Sequence, residues 1–60
     1  MDAKMLYLEL GKKLIEQQKT VAKICTNIYG EDTDITKDAL ARVGKYTIAI
    51  EEYEREITNV

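Results

Sequence analysis

An all-α fold, an antiparallel two-helix hairpin, is what these 60 residues predict, and three observations carry it. Proline is absent while Ala, Leu, Ile, Lys and Glu abound, so only Gly11, Gly30 and Gly44 weaken helix formation. Two stretches carry apolar residues at alternating steps of four and three. Between them lies a short acidic segment that opens on a glycine.

The first stretch predicts a helix over about residues 2–29. Ala3, Tyr7, Leu10, Leu14, Val21, Ile24 and Ile28 keep a heptad spacing, with Gln17 in the one vacant place. A second row, Met1, Leu8, Ile15, Ala22 and Tyr29, runs beside it at steps of seven. At about 100° per residue the two rows together cover close to half of the helix circumference. Asp2, Glu9, Lys12, Lys13, Glu16, Lys19, Lys23 and Asn27 fall on the other side, a solvated face.

The acidic turn is expected over about residues 30–36. Gly30 supplies the left-handed conformation that ends a helix. Thr36 is the expected N-cap of the next helix, with Asp34 as its competitor. Thr36 as cap would make Ile35 and Leu40 a hydrophobic staple and would put Asp38 in the first turn, where the helix dipole favours an anion.

The second helix is expected over about residues 37–58. Its seam, Ala39, Val43, Tyr46, Ile50, Tyr53, Ile57 and Val60, is unbroken; Leu40 and Ala49 lie at its edges, and Ile48 lies off it with Ala41 and Gly44. A short turn makes the helices antiparallel neighbours. The two seams then match in order: Ile28 with Ala39, Ile24 with Val43, Val21 with Tyr46, Gln17 with Ile50, Leu14 with Tyr53, Leu10 with Ile57 and Tyr7 with Val60. The same register brings Lys12 and Lys13 near Glu54 and Glu56.

Size sets the functional expectation. One domain of this length buries only about 60% of its unfolded surface and needs reinforcement. Cys25 is the only cysteine and histidine is absent, so neither an internal disulfide nor a structural zinc site can supply it. A partner remains. The expected interface is the row left over from the seam, Leu8, Ile15, Ala22 and Tyr29, with Gln18, Leu40 and Ile48. It would be covered by a second hairpin in a homodimeric four-helix bundle, or by a groove on a larger protein. Tyr29, beside the turn, is its aromatic anchor. Gln17 and Gln18 either form a polar layer that fixes register and oligomeric state or sit solvated at the rim.

Catalytic chemistry has little to work with. The chain has no histidine and no serine. Cys25 reads as a small hydrophobe on the apolar side, and the carboxylates outside the turn read as solvated helix faces. No catalytic residue, cofactor or metal is expected. Asp32, Asp34, Thr36 and Asp38 have the spacing that starts a calcium loop, but Lys37 stands where glycine belongs and Val43 where the bidentate glutamate belongs. These residues read as turn and cap chemistry. Tyr7, Tyr46 and Tyr53 lie in the seams, as packing with the hydroxyl at the rim.

Partners and location follow from charge and hydropathy. The net charge of −2 argues against a nucleic-acid binder. Lys12, Lys13, Lys19 and Lys23 could make a basic face for RNA or DNA, but Glu9 and Glu16 interrupt it. That alternative ranks below a protein–protein interaction module, an adaptor, regulator or inhibitor. A helix-turn-helix reader is excluded by two long helices, an acidic connection and no third helix. No apolar run approaches the ~20 residues of a bilayer span, and Met1-Asp2-Ala3-Lys4 is unlike a signal peptide. With a free cysteine, this gives the expectation of a cytoplasmic small accessory protein.

Overall fold

The structure, a computed structural model, describes residues 2–58 and consists there of two helices, α1 (Ala3–Tyr29) and α2 (Asp34–Thr58), with no strand. They pack side by side in a single layer whose Cα envelope is 43 × 18 × 9 Å. The all-helical hairpin is therefore as expected. The Tyr7–Val60 pairing and the place of Met1 lie outside the described residues.

Each helix end has a chemical cause. α1 starts at Asp2, whose carboxylate accepts from the Lys4 amide at 3.0 Å while its carbonyl accepts from Leu6 at 3.0 Å. It ends at Gly30, which donates to the Thr26 carbonyl and takes φ +87°, ψ 166°. The positive φ is the one expected. Its ψ belongs to the extended rather than the helical region, and only glycine enters that region freely.

The second helix begins earlier than the turn chemistry predicted. Its N-cap is Thr33, not Thr36 or Asp34. The Thr33 carbonyl accepts from Lys37 at 3.0 Å, and its hydroxyl oxygen accepts from the Thr36 amide at 3.4 Å. Thr36 is instead wholly buried in the first turn, its hydroxyl 3.0 Å from that of Thr33. Asp34 sits in the first turn, where the dipole favours it. The staple does not form: Ile35 and Leu40 are both exposed.

The seam of α2 is the one expected. Ala39 and Ile50 are buried, and Val43, Tyr46, Tyr53 and Ile57 are half-buried. The seam of α1 is not. Tyr7, Leu10, Leu14, Gln17, Val21, Ile24 and Ile28 are all exposed, whereas Leu8 is 5% and Ala22 is 3% accessible and Gly11 is buried. α1 is turned by roughly one residue's arc of 100°, so that Leu8, Gly11, Ile15, Gln18, Ala22 and Cys25 meet α2. That row also steps by three and four.

The helices are slid as well as turned. Tyr53 packs against Tyr7 in a tilted arrangement, ring centroids 4.6 Å apart and planes at 54°, and its hydroxyl donates to the Lys4 carbonyl at 3.3 Å. The expected partner of Tyr53 was Leu14, one heptad further along.

The cause is at Gly11. The Ile50 side chain fills the space that a Cβ on Gly11 would take. Small residues at Gly11, Ala22 and Ala39 let the two backbones approach, and bulky side chains on the other row could not. Polar groups within this contact are satisfied locally. Thr26 and Thr47 return their hydroxyls to the Ala22 and Val43 carbonyls at 2.9 and 2.7 Å. Among the described residues no buried side-chain polar atom lacks a partner.

Two glycines in helix interiors should therefore respond oppositely to substitution. Gly11→Leu should destabilise by about 1–3 kcal/mol through overpacking against Ile50. Gly44→Ala, with open space around its Cβ, should stabilise by about 0.5–1 kcal/mol. Thr33→Ala should cost about 1 kcal/mol as a lost cap, and Asp34→Asn much less. Urea unfolding followed by circular dichroism at one fixed chain concentration checks all four.

Candidate interaction surface

The rotation of α1 decides what the hairpin shows to its surroundings. Inward it presents the row of small and medium residues. Along one open face it presents the bulky row from Tyr7 to Ile28, with Tyr7 58%, Leu10 55% and Ile28 65% accessible. At 1.5 Å per residue this stripe is about 32 Å long. It runs the greater part of the molecule. α2 adds Tyr46 and Ala49 beside its N-terminal half, where Tyr7, Leu10, Gly11 and Leu14 close an apolar groove of about 490 Å³ with Lys45 at its rim.

Gln17 is the sole polar member of the stripe and lies near its middle, exposed. Gln18, its neighbour in sequence, is half-buried, and the two glutamines line one open hollow on α1 with Lys12, Lys13, Glu16, Thr20 and Val21.

The other face of the hairpin is polar. There Lys12 bridges to Glu54 across the two helices at 3.0 Å, which is the pairing expected for it. Lys19 pairs with Glu16 along α1 at 3.3 Å. Both pairs are exposed, so each is worth about 0–1 kcal/mol and orients more than it stabilises. Lys19, Lys23 and Asn27 border a shallow hollow with Ala22, Thr26, Leu40 and Val43. Two of the four lysines proposed for a basic face are thus held by carboxylates.

The residues expected at an interface are scattered. Leu8 and Ala22 are buried within the hairpin itself, and Ile15 and Gln18 are half-buried. Tyr29, Leu40 and Ile48 are exposed, at 50, 53 and 59% accessibility, but on separate places. Tyr29 ends α1 at the turn, Leu40 lies on the polar side beside Lys19 and Lys23, and Ile48 lies on the outer edge of α2. In the sequence the stripe is the stronger heptad row and reads as the hairpin's own seam; in the structure it is exposed. The signal that places it outside is Gly11. A glycine in mid-helix costs about 1 kcal/mol, and close approach of a second backbone compensates for it.

Other chemistry is sparse among the described residues. Cys25 is half-buried at the helix contact. No group of three or more Cys, Asp or Glu side chains converges in a way that could hold a metal ion. The acidic turn does not fold as a calcium loop, since Asp34, Thr36 and Asp38 belong to a regular helix. Among the described residues no helix is long and apolar enough to cross a membrane.

The two α1 rows can be told apart by truncation. Leu8→Ala removes a buried side chain, should cost about 2–4 kcal/mol, and should leave the isolated hairpin largely unfolded. Leu10→Ala, two residues on and on the stripe, should leave the helical signal of a dilute sample unchanged. Circular dichroism across a urea series separates the two. Compared with known protein families, curated proteins and solved structures, the chain matches none.

Proposed function

We propose that this chain is a protein–protein interaction module, an adaptor, regulator or inhibitor, whose working surface is the exposed α1 stripe from Tyr7 to Ile28. The observation that carries this reading is the contrast between the two faces of one thin layer. A domain needs two packed layers to bury a core. Here the envelope is 9 Å thick and the buried hydrophobic residues are Leu8, Ala22, Ala39 and Ile50. An apolar stripe that runs most of the molecule's length is the surface a second layer would cover, and isolated soluble chains rarely leave such a patch bare.

The geometry favours helical partners. Heptad spacing on a straight helix offers knobs at a and d positions, and another amphipathic helix offers the matching holes. The polar face, with its paired Lys12–Glu54 and Lys19–Glu16, would remain toward water. Catalysis has no support beside this reading. The groove next to the stripe has an apolar lining and one lysine at its rim, with no acid, base and nucleophile brought together.

A photo-reactive amino acid placed at Ile24, on the stripe, and separately at Lys19, on the polar face, tests the proposal in cells expressing the chain at its native level. Cross-linked product should form from position 24 at ten or more times the yield from position 19. Equal yields from both, or none from either, would overturn the reading. The mass of the product reports whether the layer is completed by the same chain or by a larger one.

A further inference from the structure

Resting on the interaction reading above, we infer that the covering layer is a second copy of this chain, with α1 packed antiparallel on α1 about a twofold axis that crosses the stripe near Gln17. Three features of the surface converge on this arrangement.

The first is the symmetry of the stripe about its own middle. From Gln17 toward the N-terminus the large apolar residues come at Leu14, Leu10 and Tyr7, and toward the C-terminus at Val21, Ile24 and Ile28. All six are exposed. Reversing the helix about Gln17 therefore lays apolar side chains on apolar side chains throughout. It also brings the one polar member close to its own copy, where two amides can bond to each other rather than to nothing. A twofold interface asks for this property, because the same patch must serve as both halves.

The second is charge. The turn holds Glu31, Asp32 and Asp34 with no base among residues 30–36. Parallel pairing would set two such turns side by side. Antiparallel pairing keeps the two acidic turns apart, setting each at the N-terminal end of the partner's α1, beside Asp2 and Lys4. Arg42 and Lys45 disfavour the other option, in which α2 takes the place of the partner's α1. Both are exposed on α2, and Lys45 lines the groove beside the stripe.

The third is length. The contact would run about 32 Å along α1, and Tyr46 and Ala49 of α2 widen it beside Tyr7, Leu10 and Leu14.

Mass and orientation can be read together. In a Cys25→Ala background, single cysteines are placed at Gln17, Tyr7 or Ile28 and treated with a short bis-maleimide. Light scattering of the untreated Cys25→Ala protein should show the mass rising with concentration from 6.9 kDa to twice that value. Gln17→Cys should cross-link to itself. Tyr7→Cys and Ile28→Cys should each give at least tenfold less product alone but link efficiently when mixed, because each lies ~30 Å from its own copy and close to the other. Self-linking of all three variants would mean parallel helices and overturn the antiparallel arrangement. A folded 6.9 kDa chain at every concentration, with no cross-link, would overturn the second copy. The interaction reading would survive that result if the Ile24 probe yields heavier products, and would fall with it if the probe yields none.

Discussion

The whole arrangement hangs on one close contact, the Ile50 side chain against the bare backbone of Gly11. Two helices joined by a short turn can pack through any pair of faces, and the winning pair is the one that brings the backbones nearest while leaving no void. On α1 the small row, anchored by Gly11 and Ala22, allows that approach. Once it faces α2, rotation about the helix axis is no longer free, and the bulky row must point elsewhere. The identity of the outer surface is thus a by-product of an inner steric choice.

The architecture was open to reading from residue types alone, and the partition of faces was not. Proline absence, heptad spacing and the glycine-led acidic segment are local signals, and they gave two helices, their antiparallel order and the correct seam on α2. The start of α1 at Asp2 and its end at Gly30 were likewise local. The choice between two α1 rows depends on a contact between positions far apart in sequence, which counting apolar residues cannot weigh. The heavier row looked like the seam because burial is usually sought by volume, but an interhelical contact is limited by the separation that its smallest members permit. The cap of α2 failed for a related reason. Thr33 and Thr36 are three residues apart and both bear hydroxyls, and only the geometry of the turn decides which caps and which is buried.

Electrostatics plays a secondary part. Lys12–Glu54 and Tyr53–Lys4 tie the two helices together at the end away from the turn, one on the polar face and one beside the stripe. Neither is buried enough to contribute much to stability. They resist splaying at the end where the chain does not connect the helices. The lysines of the polar face are diluted by acids at every turn, which blunts the local field that a phosphate backbone would seek.

The thinness of the layer has a bearing on how long a copy of this chain survives. A hairpin with four buried apolar side chains among its described residues sits close to the balance between folded and open forms, and a protease attacks the open form. Copies whose stripe is covered open less often, because the covering adds to the stability of the closed state. Turnover then falls hardest on the copies left over after assembly. On the proposed arrangement, in which the covering layer is a second copy, the covered fraction rises with the chain's own concentration, so turnover per copy slows as the chain accumulates.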